Sequence, residues 1–233
     1  MSKERLDGVK LLAAPPTDES VAAGLDHTIS EGTFSLRGSP RWDLATSDAD
    51  LSFPHAASVF ACALGVPVSE EATPTLYRLL RRSSSDAWAV TNQVKERYHR
   101  LRPLLVNKQS ACTPAEIDHL TNSSSFPSNH SAIGWAWALI LAEIAPDRAN
   151  AILARGLAFG ESRVICNVHW QSDVNAGELA GTAAVALMHT SPEFLADLGA
   201  SKKEITASRA QNSQPNADCL TESWALATTP PPR

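Results

Sequence analysis

The sequence predicts an all-α fold, a compact bundle of about eight helices, and three observations carry that prediction. Ala and Leu are abundant, while the β-branched and aromatic residues that favour strands are modest. Helix-start signatures, Ser or Thr followed by Pro, occur at Thr73-Pro74, Thr113-Pro114 and Ser191-Pro192. No stretch alternates apolar and polar residues as a strand would, and no internal repeat is visible.

In chain order, residues 1–47 hold "AAPP", glycines and charges in weak pattern, and read as an irregular arm with one short helix. From Asp48 the pattern turns helical. Thr73 and Thr113 are N-cap candidates with Pro at the first helical position, and Glu116 stands where a capping box needs it. After Ser128, Asn129 and His130, the residues Ile133, Trp137, Ile140, Leu141 and Ile144 fall on one helical face. "DRANAILARGLAFGESR" and "DVNAGELAGTAAVALMH" are also helical, and Ser191-Pro192 opens the last predicted helix. Beyond Lys203 the pattern dissolves. The expectation is one domain over 1–203 and a disordered tail over 204–233.

Composition narrows the function. A chain of 233 residues can bury one good-sized core. A net charge of −5 gives no footprint for a nucleic-acid polymer. The longest apolar run, "IGWAWALILAEIA", is interrupted by Glu143 and stopped by Pro146, so no membrane span is expected. "MSKERLDGVK" is polar and does not read as a signal peptide. The four cysteines, Cys62, Cys112, Cys166 and Cys219, form no C-x-x-C pair, which argues against a structural zinc site. One disulfide in an exported protein and buried free thiols stand as equal readings.

Three clusters carry the chemistry. The first is "KERYHRLRP", with Lys95, Arg102 and Pro103. The second is "PSNH", Pro127 to His130. The third is "SRVICNVHWQSD", with Ser162, Arg163, His169 and Asp173. Each alone has an ordinary reading: a solvated basic helix face, an N-cap, an i,i+4 helical pair. His27, His55, His99, His119 and His189 have no comparable surroundings. Taken together, Lys95, Arg102 and Arg163 suit a tetrahedral oxyanion, and the helix start after Pro127 adds free backbone N–H groups. Two histidines, one with a carboxylate partner, can supply a nucleophile and a proton donor. A metal site is the rival use of the His and Asp residues, but three converging cations favour an anion. A Ser-His-Asp hydrolase with Ser128 as nucleophile would lack a G-x-S-x-G elbow and leave the basic residues unexplained.

Lys95-six residues-Arg102-Pro103, then Pro127-Ser128-x-His130, then Ser162-Arg163-five residues-His169-three residues-Asp173 resembles the three-part signature of one superfamily. It joins type 2 phosphatidic acid phosphatases, bacterial class A acid phosphatases and vanadium haloperoxidases. "SAIGWAWALILAEIAPDRANAILARGLAFGESRVICNVHWQSDV", with "KLLAAPP" before it and "HTSPEF" after it, is similar to the class A non-specific acid phosphatases over about residues 9–200. The one departure is Asn129, where the family has Gly.

The resemblance implies an all-helical bundle of the acid phosphatase/vanadium haloperoxidase type, and hydrolysis of phosphomonoesters without a cofactor or metal. It implies His169 as the nucleophile forming a phosphohistidine, Asp173 as its partner, and His130 as the acid and then the base. Lys95, Arg102, Ser128, Asn129 and Arg163 would bind the phosphoryl group. Phosphotransfer to alcohols, inhibition by inorganic phosphate and by vanadate, a homo-oligomer, a periplasmic location with the signal peptide absent from this chain, and a Cys112–Cys166 bridge are further implications. A membrane lipid phosphatase would need spanning helices. The alternative is a haloperoxidase holding vanadate in the same cradle with His169 as its axial ligand. Asn129 is expected at positive φ, where Asn is the best-tolerated non-glycine residue, with its carboxamide at the rim of the anion site.

Overall fold

The computed structural model of the chain describes residues 6–227, and among them there is no strand. The helices are α1 (Gly8–Leu11), α2 (Val21–Gly32), α3 (Pro40–Ser47), α4 (His55–Ser58), α5 (Ala61–Leu64), α6 (Pro74–Tyr98), α7 (Pro103–Asn107), α8 (Ile117–Thr121), α9 (Asn129–Ile144), α10 (Ala149–Ile165), α11 (Gln171–Met188), α12 (Pro192–Ala210) and α13 (Cys219–Ala227). The all-α prediction holds. The count exceeds the expected eight because several segments are single turns, too short to show a periodic apolar pattern.

The bundle is organised around α9, which packs most extensively against α10 and α11 and then against α6. The reason lies in its composition. Ile133, Trp137, Ile140, Leu141 and Ile144 are all buried, and so are Ala132, Ala136 and Ala138 between them. A helix apolar nearly all round belongs in the middle of a core. Trp137 is fully buried, and its indole N–H donates to Leu80 O of α6 at 2.8 Å. Small residues set the spacing to α11. A Cβ at Gly177 would strike Ser128 O, and one at Gly181 would strike Ala132 O. The absent side chains let the first turn of α9 lie against the second and third turns of α11, and Ser128 N donates to Asp173 O at 2.9 Å, which ties the second and third sequence clusters together.

The helix starts are mixed. Ser191 caps α12 through its Oγ, which accepts from Phe194 N, and Pro192 sits in the first turn. Pro74 opens α6 at the predicted position. Thr113-Pro114 opens only a 3-10 turn, Pro114–Glu116, and the Thr113 hydroxyl makes no cap bond.

Both chain ends differ from expectation. The supposed arm contains α1, α2 and α3, with Asp26 and Arg41 buried among polar partners. Residues 204–227 are not a disordered tail. α12 runs on to Ala210, and α13 packs against α3. This segment is polar and lacks a strong apolar stripe of its own. It is held by the Cys62–Cys219 disulfide, by the Arg155–Glu222 ion pair and by buried Ala225. The last part of the expected tail, 228–233, lies outside the described residues. The Cys112–Cys166 bridge is present as well, so all four cysteines are paired. No helix among the described residues is long and apolar enough to cross a membrane.

Candidate active site

A cleft of about 730 Å³ opens at the start of α9. Its lining includes Lys95 from α6, Arg102 after it, Asn129 and His130 from α9, Arg163 from α10 and His169 from the link to α11. Residues 68 positions apart in the chain, from Arg102 back to Lys95 and on to Arg163, thus meet in one concavity, as the three clusters required.

The cations have no carboxylate in hydrogen-bonding reach. Among the described residues Lys95, Arg102 and Arg163 make no ion pair; their bonds go to neutral groups. Lys95 Nζ donates to Ser124 O at 2.6 Å. Arg102 Nε donates to Leu120 O, its Nη2 to Ser123 Oγ, and its Nη1 to Val168 O. Arg163 Nη2 donates to Ala45 O, while its Nε is buried without a partner. Burial, joined by Arg102 nearby, lowers Lys95 to about 7. Burial likewise lowers Arg102 and Arg163, each to about 10. Carbonyl dipoles place these cations but do not neutralise them, so the cleft keeps a positive charge suited to an anion.

His169 is 3% exposed and its ring state follows from its neighbours. Arg102 Nη1 lies 3.0 Å from His169 Nε2. A guanidinium can only donate, so Nε2 carries the lone pair and the proton sits on Nδ1. Nδ1 faces Asp173 Oδ2 at 3.5 Å, a contact too long for a full hydrogen bond, and it has no closer partner. Burial, followed by the charges of Arg102 and Lys95, pushes His169 well below the ordinary histidine value. The ring is a neutral imidazole that presents Nε2 to the cleft.

Asp173 lies behind the histidine, fully buried. Its Oδ2 accepts from Trp170 N at 2.8 Å and its Oδ1 accepts from Arg100 at 2.6 Å. Burial raises its pKa, and Arg100 and the Trp170 N–H oppose that rise. His130 stands across the cleft. Its Nε2–H donates to Ala49 O at 2.9 Å, because a carbonyl can only accept. Burial and then Arg163 lower His130 to about 3.

Two predicted residues sit differently from expectation. Ser128 is fully buried and does not line the cleft. Its Oγ is the N-cap of α9, accepting from Ser131 N and Ser131 Oγ. Its contribution is to hold the helix start, whose N–H groups at Asn129 and His130 have no intrahelical acceptor. Asn129 is the first helical residue and is not among the positive-φ positions. The left-handed expectation is therefore wrong: a helix N-terminus supplies the free N–H without unusual dihedrals. The carboxamide does line the cleft, and its Oδ1 is buried without a partner. A positive φ is found instead at Asn167, in the link just before His169.

Sequence reasoning missed Arg100 and Asp26, which hold Asp173 from behind, and Glu116 and His119, which line the cleft mouth. Arg100 lay in plain view within the first cluster. Asp26 lay in the weakly patterned arm and gave no signal.

Residues 86–196 match the model of the PAP2 superfamily. A non-specific acid phosphatase of Providencia stuartii is 39% identical over 205 residues, covering 88% of this chain and 83% of its own length. An acid phosphatase of Zymomonas mobilis subsp. mobilis is 37% identical, covering 90% and 80%. A non-specific acid phosphatase of Salmonella typhimurium is 34% identical, covering 87% and 82%.

Proposed function

Since this chain belongs to the PAP2 superfamily and is an acid phosphatase, we propose that it hydrolyses phosphomonoesters by transferring the phosphoryl group to His169 Nε2, without a metal. The observation that carries this reading is the Arg102–His169 contact, which fixes the neutral tautomer with its lone pair in the cleft.

The steps follow from the side chains. The phosphoryl oxygens draw the donors of Arg102, Arg163 and Lys95 and the free N–H groups of α9, which together offset the charge a metal would otherwise offset. Arg102 Nη1 turning to a phosphoryl oxygen frees Nε2. Nε2 attacks phosphorus in line, the P–O bond to the leaving alkoxide breaks, and the imidazolium that forms is stabilised by Asp173 beside Nδ1. His130, with its ring held by Ala49 O, takes up a proton and passes it to the leaving oxygen, then accepts one from the attacking water. Its low pKa comes first from burial and then from the cations of the cleft, Arg163 foremost. The dianionic phosphoryl group brings opposite charge and raises it toward the acid range where the proton is available. An alcohol in place of the water would give phosphotransfer by the same step.

The same cradle suits inorganic phosphate and vanadate as competitive inhibitors. Two disulfides favour an oxidising compartment, which supports a periplasmic location. The phosphatase domain on this reading extends past residue 203 to take in α13, and the chain assembles as a homo-oligomer, as its likeness to the class A acid phosphatases implies.

Rapid quench with phosphorus-labelled p-nitrophenyl phosphate tests the mechanism. Label should appear on His169, and His169→Ala should lose turnover altogether. His130→Ala should still acquire label from this good leaving group but release it slowly. Label on His130 in the parent enzyme overturns the assignment.

A further inference from the structure

Behind Asp173 lies a polar network that no step above uses. Arg100, in the link after α6, spreads its guanidinium over three acceptors. Nη1 donates to Asp173 Oδ1 at 2.6 Å and to Ser172 Oγ at 2.7 Å. Nη2 donates to Asp26 Oδ2 at 2.8 Å. Asp26, on α2, is 3% exposed and accepts from Ser172 N and Ser172 Oγ as well. The Arg100 guanidinium also lies 5.7 Å from the ring of Trp170, whose backbone N–H holds the other oxygen of Asp173.

We propose that Arg100 is a positioning residue that keeps the Asp173 carboxylate ionised and aimed at His169 Nδ1 in acid, with Asp26 and Ser172 holding Arg100 in place. The inference rests on the reading of Asp173 as the partner of the nucleophile.

The geometry leaves one oxygen for that task. Asp173 Oδ1 is taken by Arg100, so Oδ2 is the oxygen left facing both Trp170 N and His169 Nδ1. A carboxylate rotated about its last bond would present neither. The charge matters equally. Asp173 is fully buried, and burial pushes its pKa upward, which favours the protonated form as the medium is acidified. A protonated Asp173 is a weaker acceptor for the Nδ1 proton and offers the imidazolium no negative charge, so the tautomer that exposes Nε2 loses much of its support. The charged groups around Asp173 are few. Arg100 is in direct contact, Lys95 on α6 and Arg102 act from further off, and His169 is neutral. Asp26 reaches it only through Arg100. Lys95 and Arg102 are the cations committed to the phosphoryl group, whose charge screens them once substrate binds. Arg100, on the far side of Asp173, is not.

The test is the acid limb of the pH profile of kcat/KM. In Arg100→Gln the limb should move to higher pH by about one to three units, the usual effect of an opposite charge on a carboxylate, with KM for substrate changed less than kcat. Arg100→Lys keeps the charge and should keep the limb near the parent's while losing part of kcat. A purely structural role would depress activity at every pH and leave the limb in place, and that result, or an effect on KM alone, overturns the proposal. If Arg100→Gln does not fold, Ser172→Ala carries the test. It removes one anchor of Arg100 and should move the limb in the same direction by less; an unmoved limb overturns the proposal there too. Asp173→Asn separates the two readings. If it is inactive while Arg100→Gln leaves the limb unmoved, only the role of Arg100 fails. If it is fully active, the role of Asp173 fails, and with it the inference.

Discussion

Two arginines on one helix make opposite use of burial. Arg155 and Arg163 lie eight residues apart on α10, about 12 Å along its axis, and each is 2% exposed. Arg155 is bound on both sides by carboxylates. Its Nη2 and Nη1 meet the two oxygens of Asp48 at 2.5 and 3.1 Å, and its Nε meets Glu222 at 3.2 Å. Burial works against its charge, but Asp48 and Glu222 more than offset that and hold its pKa above the ordinary value. Arg163 faces the cleft with only Ala45 O and the Cys166 sulfur as partners and is lowered by burial to about 10. The first is a closed ion-pair network that joins α10 to the segment after α3 and to α13. The second is a buried cation with no ion pair among the described residues, and on the proposed reading the phosphoryl group supplies its counter-charge. A buried charge left without an opposite partner costs folding free energy, and such a cost marks a functional position more clearly than the charge does.

The sharpest way to break this comparison is to remove each cation in turn. Arg155→Met leaves Asp48 buried without its partner and should destabilise the fold by about 3–5 kcal/mol, read by urea denaturation, while the folded fraction keeps most of its kcat/KM. Arg163→Met removes an unpaired charge. It should leave stability unchanged or raised, yet lower kcat/KM by about 100- to 1,000-fold, the cost of one oxyanion donor. If both variants lose stability alike and neither loses activity, the distinction between the two arginines is wrong.

A smaller effect sharpens the same point through pH. His130 and His169 are neutral in the fold and titrate below the ordinary histidine value of 6.5. The unfolded chain therefore takes up protons first as the medium is acidified. The stability they contribute is full above about pH 6.5 and is lost as pH falls toward the folded value, about 3 for His130. Lys95, lowered from 10.5 to about 7, loses stability in the same direction through a higher window. A bound anion opposes all three shifts. Phosphate at a hundred times its Kd should stabilise the protein by about 2.7 kcal/mol, and should flatten the fall of Tm below pH 6.5 when compared with chloride at equal ionic strength. The same addition to Arg163→Met should do much less. Equal Tm profiles with and without phosphate would remove the anion from the account.

The smallest expected effect is at Asn129. Its backbone N–H belongs to the helix start and survives substitution, so Asn129→Ala should leave inhibition by phosphate near the parent's. Its Oδ1 is an unpartnered acceptor at the wall of the cleft. Losing it should change relative rates across a panel of phosphomonoesters by up to about tenfold, the worth of one hydrogen bond at a leaving group. Identical rates on every substrate would show that the carboxamide touches none of them.

The three clusters and their cations were legible because each is a run of neighbours with fixed spacing, and spacing along a helix sets direction. His169 and Asp173 could be read as partners, but not the 3.5 Å gap between them or the clamp of Asp173 by Arg100. Ser128 was visible as a helix cap and as a phosphate ligand, and only its burial decides for the cap. The positive φ expected at Asn129 failed because a helix start answers the same need for a free N–H.

The order of residues was enough to predict helix rather than strand, the apolar face of α9, and the three cations and two histidines that line one cleft. These rest on local propensity, periodicity and spacing, which near neighbours in the chain carry among themselves. Packing alone decided which buried charges are paired. Asp48 meets Arg155 across 107 positions, Asp26 meets Arg100 across 74, and Cys62 meets Cys219 across 157. Asp48, Asp26, Cys62 and Cys219 each sit in a stretch with no motif of its own, and the partner of each is chosen by which helices the core brings side by side. Arg155 and Arg163 are the same residue on the same helix, and what separates structure from chemistry is whether a carboxylate from a distant segment arrives beside them.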